Sequence, residues 1–363
     1  MKISVDIRCL QKQPLTGVGV YTKNLLDAIF EIDKINEYFL FTNSAQEIKI
    51  NEWHQPNVHL IKTRYPNKLL NFLLQTKIIK LDKLTNQNLD YWFSPNLNFT
   101  NLSKKINHIL TIHDLSFEFY PEFYTFKQRW WHKILNPKKQ CQKTHLILCP
   151  SQHTAQDVAN LYQIDENKIK VIYPGITKPI LKNNPPHNLS AKYVLFLGTI
   201  EPRKNILGLV EAWEKISPLL PTPYTLIIAG ATGWKNNKIE KIINAHQNNI
   251  TLVKDIAEEE KYELLNNASL FVFPSFYEGF GFPILEAMNL GVPVITSNRS
   301  SLPEIALNSA YLINPNKPTE IALAIKKIIT DEELKNRLIT AGYKTPEKYN
   351  WQNSAKQFLE LLK

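Results

Sequence analysis

Three cysteines among 363 residues are too few, and too scattered, to staple this chain together. Cys9, Cys141 and Cys149 are odd in number and form no CxxC pair, which excludes a disulfide framework and a structural zinc site. They are expected to be ordinary core residues. Nor is there an apolar run of the roughly 18 residues that a membrane-spanning helix requires. The opening MKISVDIRCL reads as a strand and not as the apolar stretch of a signal peptide, so a cytoplasmic protein is expected. There is no GxxxxGK(S/T) phosphate loop, no zinc-finger spacing and no RNP signature, and nucleic acid is the least supported partner. A DxD pair, the usual ligand of a metal-bridged diphosphate, is also missing. No metal or other cofactor is expected.

What the chain has in quantity is apolar residues, 44% of the total, ample for a buried core in each of two domains. Its formal charge of +10 is unevenly spread: residues 1–180 hold 23 Lys and Arg against 15 Asp and Glu, the remainder 20 against 18. An electropositive first half suits an anionic lipid, a phosphorylated acceptor or nucleic acid, and charge alone does not choose among them.

Short apolar runs alternate with segments able to form helices. KISVDI, YFLFTN, VHLIK, DYWFSP, HILTIHD, LILCPS and KVIYPG fall in the first half; YVLFLGT, YTLIIAG, ITLV, LFVFPS, VPVITS and AYLINP in the second. That rhythm predicts a doubly wound α/β architecture, repeated. The aperiodic stretch between the two series, rich in Pro and Asn, divides the chain into 1–176, a linker 177–191, a second domain 192–345 and a terminal amphipathic helix within 346–363, with room to pack back on the first domain. Residues 66–84, PNKLLNFLLQTKIIKLDKL, mix Leu, Ile and Phe with four lysines. Two readings are open: an ordinary helix on a sheet, and a peripheral contact with an anionic membrane.

Chemistry concentrates in a few loops. In FVFPSFYEGFGFPILEAMNLGVPVI an apolar strand runs into Gly279, Phe280 and Gly281, then into a helix with Pro283 near its start; Glu278 lies on the loop and Glu286 in what reads as the helix's first turn. In an open parallel sheet such loops lie at the carboxyl ends of the strands, where ligands bind. The helix start favours an anion, so carboxylates there suit the acceptance of hydrogen bonds from sugar or ribose hydroxyls. FLGTIEPRKN sets Arg203 and Lys204 just past another strand, a pair fit for a diphosphate and for the charge on a departing nucleotide. LTGVGVYTKNLL carries Gly17 and Gly19 between a strand and a helix, but Thr22 stands where the third glycine of a dinucleotide fingerprint belongs. TIHDLSF ends a strand with His113 and Asp114, a proton-exchanging pair or a structural one.

Taken in order, GVGVYTKNLL, TIHDLSF, VIYPGI, FLGTIEPRKN and FYEGFGFPILEAMNLGVPVITS resemble the family 4 retaining glycosyltransferases of the GT-B fold, in which two Rossmann-like domains face each other across a cleft. GTIEPRKN and IHDLSF are most similar to the bacterial GDP-mannose-dependent mannosyltransferases of surface polysaccharide assembly. The resemblance implies a nucleoside diphosphate sugar as donor and a glycan or lipid-linked hydroxyl as acceptor, with retention at the anomeric carbon. It places Glu278 on the donor sugar and Glu286 on the ribose, alongside the loop residues Gly279, Phe280 and Gly281. Arg203 and Lys204 would hold the diphosphate, with Gly17 and Gly19 on its other side; His113 would face donor and acceptor, and Asp114 the acceptor. Many members carry an arginine where Thr199 stands here, a charge Arg203 would have to supply. A UDP- or TDP-sugar donor, a glycoside hydrolase, a nucleotide-sugar epimerase and a catalytically silent scaffold are the competing expectations.

Overall fold

Among the described residues, thirteen strands fall into two sheets, and every pairing within them is parallel. A computed structural model describes residues 1–11, 15–46, 53–177, 181, 192–245, 249–254 and 256–362 of the chain. The chain divides into two units, Met1–Leu115 with Trp130–Gly175 and Asn350–Lys363, and Ser116–Arg129 with Ile176–Tyr349. Most of the segment expected as a linker, 177–191, lies outside the described residues.

The first unit is built on β1 (Lys2–Asp6), β2 (Glu37–Asn43), β3 (Val58–Thr63), β4 (Tyr91–Ser94), β5 (Asn107–Thr111), β6 (Leu146–Cys149) and β7 (Ile169–Val171), in the spatial order β3-β2-β1-β4-β5-β6-β7. The second carries β8 (Tyr193–Leu197), β9 (Thr225–Gly230), β10 (Ile250–Lys254), β11 (Leu270–Phe273), β12 (Val294–Ser297) and β13 (Tyr311–Ile313), in the order β10-β9-β8-β11-β12-β13. Strands such as YVLFL and LFVF are buried at every position because helices cover both faces of a doubly wound sheet. Register is set by this apolar match: Leu195 lies between Ile227 and Phe271. In each sheet the winding reverses once, between β1 and β4 and between β8 and β11. Loops leaving those strands diverge there and open a crevice at the strands' carboxyl ends.

The terminal helix, Trp351–Glu360, belongs to the first unit and packs on the helix Gly17–Ile32. Asn350 caps it, Ser354 Oγ donates to the Tyr173 carbonyl at 2.6 Å, and Phe358 lies 4.7 Å from Phe93 between ring centroids. Residues 116–129, which the strand rhythm places within the first domain, pack with the second unit instead. Phe119 stacks on Tyr277, Phe123 stacks on Phe276, and Trp234 Nε1 donates to the Phe123 carbonyl at 2.8 Å. Within 66–84 the helix is broken: Asn67–Gln75 and Leu81–Leu84 are separated by Lys77 in a left-handed conformation, φ 60°. Leu70, Leu74 and Leu81 turn into a core with Trp92 and Phe99, whereas Leu69, Phe72 and Ile78 are exposed. Burial pushes the Cys141 thiol up to about 12 and raises that of Cys149 well above its ordinary 9.0, as befits core cysteines.

Candidate active site

The reversal point of the second sheet gathers the charged residues singled out in the sequence. β8 leads through Gly198 into a short turn, Pro202–Lys204; β11, its neighbour, leads into the loop 274–281. Lys204 Nζ lies 2.6 Å from Glu278 Oε1, and Arg203 Nη1 lies 2.9 Å from Glu278 Oε2. Arg203 also donates to the Tyr277 carbonyl at 2.6 Å and binds the Glu201 carboxylate through Nη2 at 2.7 Å. Lys204 and Glu278 are each 8% exposed. These are therefore not solvated loop charges, and they need one another, since an isolated charge at that depth would be strongly disfavoured.

Electrostatics follows from this packing. Burial by itself would raise the Glu278 carboxyl, but the Arg203 and Lys204 cations outweigh it and hold the acid at about 2. At neutral pH Glu278 is a hydrogen-bond acceptor only. Burial and the adjacent Arg203 guanidinium pull the Lys204 ammonium below its ordinary 10.5, against the attraction of Glu278 and Glu201. The Arg203 guanidinium acts on both partners: with Lys204 it favours Glu278 as an anion, and it adds to burial in disfavouring Lys204 as a cation.

Helix Phe282–Asn289 follows the loop, entered through Gly281 at φ 113°. A Cβ there would stand 2.8 Å from Leu302 Cδ2, so both conformation and space call for glycine. Gly279 and Phe280 are buried in the loop. Glu286 proves to lie in the second turn of this helix, not the first, because helical geometry begins at Phe282, one residue before the proline. One of its oxygens, Oε1, pairs with Lys261 Nζ at 2.7 Å; the other, Oε2, is buried without a hydrogen-bond partner. Lys261, which comes from the helix Glu258–Asn266, was not legible in the sequence. Neither were Ser300 and Ser301. The Ser300 hydroxyl accepts from the Glu278 N–H at 2.9 Å, and the Ser301 hydroxyl donates to the carbonyls of Glu278 and Phe280 at 2.8 and 2.9 Å. Nothing in their local sequence marks these two serines, which act by tertiary contact after β12.

The remaining candidates lie in the first unit. Gly17 is exposed and opens the helix Gly17–Ile32, whose N-cap Thr16 makes no side-chain cap bond. A Cβ on Gly17 would meet nothing within 4 Å, so the helix start is open. Gly19, buried, packs on Leu15. His113 follows β5 beside Asp114, and its Nε2 lies 2.8 Å from the Pro95 carbonyl, which can only accept. That nitrogen therefore carries the proton. Burial lowers the imidazole below 6.5, against the pull of Pro95 and Asp114, which favours the neutral ring with Nδ1 as an acceptor. Tyr21 packs against the ring edge-on, 4.7 Å between centroids. The structure thus joins Arg203, Lys204 and Glu278 directly, holds Glu286 through a different cation, and sets Gly17, Gly19, His113 and Asp114 in the other unit.

Among known proteins, residues 16–178 match the model of Glycosyltransferase Family 4 and residues 177–345 that of Glycosyl transferases group 1. The O-antigen chain mannosyltransferase B of Escherichia coli is 27% identical over 375 residues, covering 97% of each chain. Among solved structures, the sucrose-phosphate synthase of Thermosynechococcus elongatus superposes with a TM-score of 0.79 at 19% identity over 99% of this chain and 98% of that one. Anabaena HepE, solved with UDP and glucose, gives 0.72 at 17% identity over 100% and 99%. At such identities these two likenesses speak for the fold alone.

Proposed function

The chain belongs to glycosyltransferase family 4 and has the GT-B fold, and from that premise we propose that it transfers a mannosyl group from GDP-mannose to a hydroxyl of a glycan or lipid-linked acceptor in polysaccharide or glycolipid assembly. The carrying observation is the buried Arg203, Lys204 and Glu278 cluster at the reversal point of the second sheet. The mannosyltransferase kinship over nearly the full length supports the choice of sugar.

In this reading Arg203 and Lys204 meet the diphosphate and stabilise the charge that grows on it as the glycosidic bond breaks. Side-chain cations do this work, without a metal. Glu278, ionised down to about pH 2, accepts hydrogen bonds from the sugar hydroxyls and donates no proton. Glu286 Oε2 accepts from the ribose, which relieves its buried and unpaired state. Reaction proceeds with retention: the acceptor hydroxyl attacks from the face the diphosphate leaves, and the leaving phosphate oxygen takes its proton. His113 offers Nδ1 to a hydroxyl, with Asp114 beside it on the acceptor side, and the open helix start at Gly17 offers N–H groups to an anion. A lipid-linked acceptor brings the protein to a membrane, for which 66–84 is the candidate contact.

Thermal unfolding of the full chain with chelator present, against GDP, UDP, TDP and their sugars, tests this. Stabilisation by the GDP series, weakened in Glu286→Ala, is the expected result. A response to UDP or TDP alone would replace the donor and keep the site; no response to any would favour the scaffold or hydrolase. Proton NMR of the product's anomeric centre decides retention.

A further inference from the structure

A second site lies in the first unit at the amino end of β5, which Ile106 immediately precedes and in which His108 is the second residue. It is an open cavity of about 780 Å³. Three stretches wall it: the break between the helices Asn67–Gln75 and Leu81–Leu84, residues 99–104, and the junction of the helices Phe126–Leu135 and Pro137–Lys143. The candidate active-site residues of the same unit, Gly17 and His113, follow the carboxyl ends of β1 and β5 instead.

Among the described residues, five lysines line the cavity, Lys77, Lys80, Lys104, Lys139 and Lys143, and no Asp or Glu does. Among the described residues none of the five has a carboxylate partner in an ion pair. Burial, then repulsion from Lys77 and Lys139, pulls the Lys143 ammonium below 10.5, a repulsion that an anion would relieve. Two lining side chains hold buried atoms without a partner, the Ser103 hydroxyl and Gln140 Oε1. Ser103 is 9% exposed, and a hydroxyl unsatisfied at that depth is disfavoured, which a hydrogen-bonding occupant of the cavity would relieve. The floor is apolar, formed by Leu74, Phe99, Ile106 and Leu135 of the core. Because Leu70 and Leu74 turn inward, Leu69 and Phe72 face outward one turn apart, and Ile78 follows between Lys77 and Lys80, 68% exposed.

We propose that this cavity seats the phosphate headgroup of an anionic membrane lipid. The lysines meet the phosphate and the Ser103 hydroxyl donates to it. Gln140 Oε1 accepts from a headgroup hydroxyl such as that of a glycerol. Phe72, Leu69 and Ile78 lie in the acyl boundary, where exposed apolar residues beside lysines gain most. The proposal rests on the membrane contact suggested for 66–84 and narrows it from a diffuse attraction to one built site.

Co-sedimentation of the full chain with phosphatidylcholine vesicles, with and without phosphatidylglycerol, is the test. Wild type is expected to bind only the vesicles with phosphatidylglycerol. Lys139→Glu with Lys143→Glu is expected to weaken that binding by about tenfold or more, each basic residue near a surface being worth about 1 kcal/mol. Lys105→Glu with Lys133→Glu makes the same charge change outside the cavity and is expected to stay within about threefold of wild type. Gln140→Leu, which alters no charge, is expected to weaken binding as well. Unchanged unfolding midpoints show that the variants are folded. Equal loss from both charge pairs would overturn the built site and leave the membrane contact standing. No binding to either vesicle would overturn both. Complete displacement by millimolar glycerol phosphate would reassign the cavity to a soluble anion and overturn the lipid as occupant.

Discussion

Lys204 Nζ stands 2.6 Å from Glu278 Oε1 and 4.9 Å from the centre of the Phe273 ring, a cation held between a carboxylate and an aromatic face. Removing either charge strands the other in a buried place. Lys204→Met and Glu278→Gln are each expected to destabilise the fold, by about 3 kcal/mol at the upper end, because Arg203 still pairs with Glu278 in the first and with Glu201 in the second. Transfer is expected to fall further, roughly 10²- to 10³-fold in kcat, if these groups act on the transition state. Denaturant unfolding alongside turnover separates the two effects, and turnover within threefold of wild type in both variants would refute the site.

Acid should weaken this cluster. The folded value of Glu278, about 2, lies below its ordinary 4.5, so its ionised form stabilises the native state. That contribution is complete above pH 4.5 and is lost as pH falls toward 2. Glu278→Gln should therefore flatten the acid limb of stability against pH, measured by denaturant midpoints across that range.

Nucleotide binding should depend on pH at the alkaline end. Lys204 sits below 10.5 in the free protein, and a diphosphate beside it would favour its protonated form. Affinity for the nucleoside diphosphate is expected to decline as pH rises through the lowered Lys204 value, with proton uptake on binding visible in calorimetry as buffer-dependent enthalpy. Lys204→Arg should abolish the dependence.

Backbone space at the second sheet's reversal can be tested directly. Gly230 ends β9 at φ 147°, and a Cβ there would run into the backbone carbonyl of Gly198. Gly230→Ala is expected to cost about 1–3 kcal/mol, read as a lowered unfolding midpoint, whereas Gly17→Ala meets open space and should leave stability within about 1 kcal/mol.

His113 should act as a neutral ring. Its imidazole is below 6.5 in the fold, so the neutral form adds stability above pH 6.5, and this is lost as pH falls through the folded value. Turnover is expected to fall over the same window, and His113→Gln should remove that inflection along with much of the activity.

The strands were legible because buried parallel strands are apolar throughout, and the loops after β8 and β11 because glycine, proline and charge stand close together in the chain. Lys261, Ser300 and Ser301 reach their partners across 21 to 25 residues, and no local spacing announces such contacts. Proline tolerates the second helical position as well as the first, and that one-residue difference in the helix start moves Glu286 from the first turn to the second. The attachment of 116–129 to the second unit was hidden for a similar reason: its aromatic residues read as any core segment until Phe276 and Tyr277 are seen against them.

That attachment has a bearing on how the protein can be taken apart. The polypeptide passes between the two units four times, at 115/116, 129/130, 175/176 and 349/350. Neither unit is one uninterrupted span of gene. A hybrid protein that borrows the second unit by a single cut near 176 would leave Phe119 and Phe123 behind, together with the carbonyl that receives Trp234, and would bare the Phe276 and Tyr277 rings beside Arg203. A working graft must carry 116–129 with it and hand the chain back at 350.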